Sequence, residues 1–243
     1  MRPLLLLSCL LSSLSWANDY QSPREQVTLI ELYTSEGCSS CPPADDWLSQ
    51  LKSSPQLWDK IVPVAFHVDY WNWLGWKDRF SDDRFGQRQR NYQRYGLARS
   101  VYTPGFFVQG QEWAGWFNRQ PLNQSTQTVG RLSASIEATQ MQVSFASEAQ
   151  IEHPLQLTVV GLGFDLNTEV KRGENRGRQL QHDFVVRYYR TLTATREAPQ
   201  QWELNWPRQV LDENQGFALW VSHSEDPRPI QVLGGWLPGH ASE

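Results

Sequence analysis

An apolar, β-branched run from Val27 to Tyr33 (VTLIELY) is followed five residues later by Cys38-Ser39-Ser40-Cys41, and then by Pro42-Pro43-Ala44-Asp45-Asp46. The first segment reads as a buried strand. Proline is accommodated in a first helical turn, and acids there complement the helix dipole, so a helix begins at the second cysteine. Leu48 and Leu51 extend its apolar face. A strand, a short turn, CxxC and a helix start leave few folds open. They also set up a chemistry, because the unpaired N–H groups and partial positive charge of a helix N-terminus favour thiolate over thiol at the first cysteine. With two residues between them, the second thiol can attack a mixed disulfide formed by the first.

The chain has 243 residues and three cysteines, an odd number. The N-terminal residues resolve it. Arg2 gives a basic start, Leu4 to Leu14 is apolar apart from Ser and Cys9, and Ser15-Trp16-Ala17 places small residues at the −3 and −1 positions of a cleavage site. This is the pattern of a secretory signal peptide over residues 1–17. The run is too short for the roughly 20 residues of a membrane span. Leu6-Leu7-Ser8-Cys9 resembles a lipoprotein cleavage box but would leave almost no apolar region before it. Cleavage after Ala17 removes Arg2 and Cys9, which leaves a charge of −5 and a single CxxC pair. The expected product is periplasmic or secreted, with no later membrane span.

Further strands and helices follow. Ile61 to Val68 (IVPVAFHV) reads as a second strand, Phe85 to Leu97 as an amphipathic helix, and Gly105 to Gln109 with Gln111 to Gly115 as a short hairpin about Gly110. Leu122 to Ala138 reads as a closing helix. The order expected for residues 18–138 is β-α-β-α-β-β-α. From residue 139 to 243 the pattern changes to short strand-like runs (MQVSF, LQLTVVGL, LQHDFVVRYYRTL, QWELNW, FALWVSH and IQVLGGW), which predict an all-β, sandwich-like domain.

Pro104 lies 63 residues after Cys41 and opens the hairpin. With CSSC after the first strand and Thr103-Pro104-Gly105-Phe106-Phe107-Val108 at the third, residues 27–138 resemble the thioredoxin superfamily. That resemblance implies a cis Thr103–Pro104 bond facing the CxxC, a geometry specific to proline, and an exposed preceding backbone that pairs with an extended substrate. ELYTSEGCSSCPPAD, AFHVDYWNWLGWKDRFSD, RQRNY, VYTPGFFVQG and GENRGRQLQHDFVVR resemble the secreted bacterial family of domain of unknown function 1223 over nearly the whole mature chain. This second resemblance implies a thioredoxin-like domain in an exported protein and supplies no activity.

The candidate redox residues are Cys38 as attacking thiol, Cys41 as resolving thiol, and Thr103 and Pro104 opposite them. Glu31, seven residues before Cys38, is a candidate acceptor for the Cys41 proton, or else an acid at a solvated strand position. His67 and Asp69 share a strand face, where the ring can shuttle a proton, ligate metal or be a structural histidine, with Asp69 orienting it. Seven of the 12 tryptophans lie between residues 47 and 116. Trp71, Trp73 and Tyr102 are the candidates for a substrate groove; the alternative is that such aromatics fill a core. The run Lys77 to Arg84 reads as a solvated loop and helix start, and Arg172, Arg176 and Arg178 as a basic loop.

Three functions fit these residues. The first is a thiol–disulfide oxidoreductase acting on a thiol- or disulfide-containing protein or a small thiol, with an unidentified electron partner and no cofactor. Thr34 to Asp46 holds Glu36, Asp45 and Asp46 but no Lys, Arg or His, so a reductase or isomerase is expected rather than a strong oxidant. The second is copper or zinc binding by Cys38, Cys41 and His67. The third is a binding protein with a permanent structural disulfide. The net charge of −4 argues against a nucleic-acid surface. There is no Gly-rich phosphate loop and no serine-nucleophile motif.

Overall fold

The computed structural model describes residues 17–118 and 120–240. The expected leader, with Cys9, lies outside them except for Ala17, an exposed residue. The first strand, β1 (Asn18–Gln21), is short, and β2 (Thr28–Thr34) takes up the apolar run with all seven residues buried. α1 (Pro42–Gln50) then crosses to β3 (Ile61–His67), which is also buried throughout and runs parallel to β2, with Thr28 opposite Ile61. Strands covered on both faces need no alternation, which is why both read as continuous apolar runs. α2 (Asp83–Arg94) starts where the Asp82 carboxylate accepts from Arg84 N at 2.9 Å and gives way to Gly96 at φ +71°. β4 (Gly105–Val108) and β5 (Gln111–Glu112) form the hairpin about Gly110, and β4 pairs antiparallel with β2.

The helix expected over residues 122–138 does not form. Residues 130–137 are instead strand β6 (Gly130–Glu137), with Leu132, Ala134 and Ile136 buried at period two. Gly130 enters the strand at φ +117°, outside helical geometry. The expected order β-α-β-α-β-β-α therefore loses its last element.

The remaining strands are β7 (Gln140–Ser147), β8 (Leu155–Gly163), β9 (Leu166–Glu169), β10 (Gln179–His182), β11 (Val185–Thr193), β12 (Gln201–Asn205), β13 (Gly216–His223) and β14 (Asp226–Trp236), with a short helix α3 (Arg208–Glu213) between β12 and β13. The protein is mixed α/β and sheet-rich. One eight-stranded sheet runs β14-β13-β8-β11-β3-β2-β4-β5, a four-stranded sheet runs β1-β6-β7-β12, and β9 and β10 form a separate ribbon. The boundary drawn at residues 138/139 falls in the β6–β7 turn. Strands from both sides of it share the large sheet, because β11 pairs in parallel with β3 at Val185 and Ala65.

Two cores result. One gathers β2, β3, β4, α1 and α2 around Tyr33, Phe66, Tyr92, Phe106 and Phe107. The other lies where β6, β7 and β12 face β8, β13 and β14, around Phe145, Trp206, Phe217 and Leu219. Alternation along β2 gives its two faces different neighbours. Thr34 hydrogen-bonds Asp45 of α1, whereas Glu31 and Tyr33 meet Tyr92 of α2. Among the described residues no helix is long and apolar enough to cross a membrane.

Candidate functional site

Where β2 ends, the chain turns and closes on itself. Cys38 and Cys41 are joined by a disulfide with a Cα–Cα distance of 5.4 Å, and Cys41 is the N-cap of α1. Its carbonyl accepts from Ala44 N at 2.8 Å and Asp45 N at 3.1 Å. Pro42 and Pro43 contribute no N–H, so this helix start presents fewer donors to a sulfur anion than an ordinary one. Both cysteines are fully buried, while Ser39 and Ser40 between them are exposed.

Part of the cover comes from the loop between β9 and β10. The buried Asn175 amide donates to the carbonyls of Glu36 and Cys38, each at 2.9 Å, and Ser39 N donates to the Glu174 carboxylate at 3.1 Å. Arg178 donates to the Asn175 side-chain oxygen at 2.9 Å and so fixes which way the amide points. The Arg172 and Arg176 side chains are solvent-exposed.

On the other side, the Thr103–Pro104 bond is cis. Tyr33 pairs with Gly105, which sets Pro104 beside the end of β2. Trp71 spans the gap, since its Nε1 donates to Thr103 Oγ1 at 2.7 Å and a Cβ built on Gly37 would sit 3.2 Å from its own Cβ.

Behind the disulfide lies a buried polar cluster that no sequence pattern assembled. His67, at the end of β3, donates from Nδ1 to Asp78 Oδ2 at 2.7 Å, and Asp78 also accepts from Glu36 N and Phe80 N. Asp45 is held through Thr34 Oγ1 at 2.8 Å. His182, at the end of β10, lies 3.5 Å from Asp45 and 3.7 Å from Glu36, and its ring meets that of His67 edge-on at 4.9 Å. Burial works against a charged His67, but Asp78, Asp45 and Glu36 outweigh it and hold its pKa above the ordinary value. Burial likewise opposes an ionised Asp78, and the His67 ring with the two backbone donors outweighs it, so its pKa lies below normal.

A family model described as a protein of unknown function (DUF1223) matches residues 29–222. The chain belongs to the DUF1223 family. No protein of curated function matches it. Two solved structures share the fold of this DUF1223 member. Protein AGR_C_4864 from Agrobacterium tumefaciens is 23% identical with a TM-score of 0.62, over 90% of this chain and 97% of that one. HBP35 of Porphyromonas gingivalis is 13% identical with a TM-score of 0.56, over 91% of this chain and 79% of that one. At these identities the likeness concerns the fold alone.

Several residues singled out in the DUF1223 sequence sit elsewhere than expected. Glu31 is buried, but on the α2 face of β2, where it accepts from Arg88 Nε at 2.7 Å and from the Tyr92 hydroxyl. Seven residues from Cys38, the carboxylate points away from α1, so it is a partner of Arg88 and not an acceptor aimed at Cys41. Asp69 does not orient His67; Asp78 does. Of the groove candidates, Trp73 is 80% exposed, Trp71 is committed to Thr103, and the Tyr102 hydroxyl donates to Glu112 at 2.8 Å. Among the described residues, the His/Cys/Asp/Glu group with metal-ligand spacing is Asp45, His67 and His182, while Cys38 and Cys41 are engaged with each other. His182 was missed although it lies within the family-like GENRGRQLQHDFVVR segment; the pattern marks the segment but not which partners it meets.

Proposed function

We propose that this DUF1223 member is an exported, thioredoxin-like thiol–disulfide oxidoreductase. The observation that carries the proposal is the Cys38–Cys41 disulfide at the start of α1, linked through Gly37 and Trp71 to the cis Thr103–Pro104. In the reduced form, the Cys38 thiolate attacks a substrate disulfide and the first substrate sulfur leaves as thiolate. Cys41, giving up its proton, then attacks Cys38 in the mixed disulfide, releases the second substrate thiolate and restores the disulfide. Of the two protons that end on the substrate sulfurs, one comes from Cys41 and the other from water, and the two electrons are replaced by a separate thiol reductant. Glu36, two residues before Cys38, and Asp45, four residues after Cys41, disfavour a deeply stabilised thiolate, which supports a reductase or isomerase over a strong oxidant. Export to the periplasm or medium accords with the N-terminal pattern, and N-terminal sequencing of the mature protein would then begin at Asn18.

Insulin reduction or refolding of a scrambled substrate tests this reading, with Cys38→Ser as reference. Equal rates for wild type and variant would end it. The full burial of both sulfurs supports a second reading, a permanently closed disulfide in a binding protein. That reading requires the bond to resist glutathione, with a potential below about −300 mV.

A further inference from the structure

We propose that the cluster behind the disulfide is a metal site, in which His67 Nε2, one ring nitrogen of His182 and the Asp45 carboxylate hold a divalent first-row transition ion such as zinc. The three side chains come from β3, β10 and α1, all are buried, and a ligand atom from each lies within 4.8 Å of the others. Ligands ~2.0–2.2 Å from zinc stand ~3.3–3.6 Å apart in a tetrahedron, so only a small contraction is needed.

Three further observations point to a cation. His67 Nε2, both His182 ring nitrogens and Glu36 Oε1 are buried with no hydrogen-bond partner. Polar atoms left so are costly. Among the described residues, the ion pairs of the buried carboxylates Glu36, Asp45 and Asp78 are with His67 and His182 alone, with no Lys or Arg to offset three acids. Finally, two of the three ligands are already oriented from behind: Asp78 holds Nδ1 of His67 and leaves Nε2 to face the cluster, and Thr34 holds Oδ2 of Asp45. A carboxylate behind a ligating histidine is a recurrent support of zinc sites. Two imidazoles and a carboxylate suit zinc and its divalent neighbours, and leave a coordination position open for Glu36 or water. This ligand set uses neither cysteine, so it differs from a Cys38–Cys41–His67 site and stands whether or not the disulfide exchanges.

The test uses the full mature protein with its disulfide intact, stripped by a chelator and titrated with zinc or cobalt(II). Retention of one equivalent against a weak chelator is expected, with a cobalt spectrum lacking the thiolate charge-transfer band. On zinc addition the imidazole NMR signals of His67 and His182 should move, and those of His153, His223 and His240 should not. Asp78→Asn should weaken affinity about 10–100-fold, and a Cys38→Ser/Cys41→Ser double variant should keep it. The proposal is overturned by no stoichiometric uptake, by histidine shifts confined to the other three rings, by a thiolate band, or by uptake lost in the cysteine double variant.

Discussion

The side-chain amide of Asn175 donates to the carbonyl of Cys38 at 2.9 Å, across 137 residues of chain. A loop from the second half of the sequence is thus pinned to the disulfide turn, and the same amide also holds Glu36. Replacing Asn175 by Ala removes both bonds. At about 1 kcal/mol for each of the two net hydrogen bonds, and tenfold per 1.4 kcal/mol, reduction of Cys38–Cys41 by dithiothreitol should become roughly thirtyfold faster. Thiol labelling against time measures it. An unchanged rate would mean that other groups control access to the sulfurs.

Glu31 and Arg88 form a buried pair, the arginine also lying over the rings of Phe66, Tyr92 and Trp220. Arg88→Met keeps much of the packing but leaves a carboxylate without its cation, and should cost about 3–5 kcal/mol in denaturant unfolding. Arg88→Met combined with Glu31→Gln should recover most of that loss. Because Glu31 faces α2, Glu31→Gln should leave the rate of disulfide reduction unchanged. A strong effect on that rate would restore Glu31 as a proton acceptor.

The parts of this arrangement legible in the sequence are those set by neighbouring residues. β2 and β3 announce themselves as unbroken apolar runs because both faces are buried, and Cys41 with Pro42 marks the helix start. The segment 122–138 misled because Leu132, Ala134 and Ile136 carry a strand period that is short and set among polar residues. The facing of Glu31 was undetermined because a one-residue difference in spacing reverses the side of a strand. His182 and Asn175 join the site through long-range pairing alone: β10 pairs with β9, and β11 docks on β3, contacts no local pattern encodes. Asp78 lies only 11 residues from His67, but no period marks which acid of that loop turns back onto the ring.

The reduction potential should lie nearer to the roughly −270 mV of thioredoxin than to the roughly −120 mV of a strong oxidant. The two prolines withhold backbone donors from the helix start, and Glu36 is buried two residues before Cys38. Neutralising it with Glu36→Gln should ease thiolate formation and raise the potential by about 15–30 mV, equivalent to about half to one pKa unit. Equilibration with glutathione or dithiothreitol buffers reads both values. A wild-type potential above about −150 mV would show that the acids do not govern the thiolate.

Alkaline pH should unfold the protein through its buried phenols. Burial, and after it the Glu31 carboxylate, holds the Tyr33 pKa well above 10.0; burial with Glu31 outweighs Arg88 to do the same at Tyr92. Burial and then Glu112 push Tyr102 up to about 12. A raised folded-state pKa means that the unfolded chain releases these protons first. Below pH 10 both states are neutral and nothing is lost; from pH 10 upward the unfolded state is favoured, so stability falls as pH rises. The ionisation of Tyr33 and Tyr92, read from tyrosinate absorbance, should therefore coincide with the loss of circular dichroism in one step above pH 10. Replacing Tyr92 by Phe removes one of these ionisations and should move that step to higher pH, unless loss of its bond to Glu31 weakens the fold more than the missing ionisation strengthens it, which denaturant unfolding at neutral pH separates. Smooth titration of all eight tyrosines near pH 10, ahead of any loss of structure, would contradict the burial of Tyr33 and Tyr92.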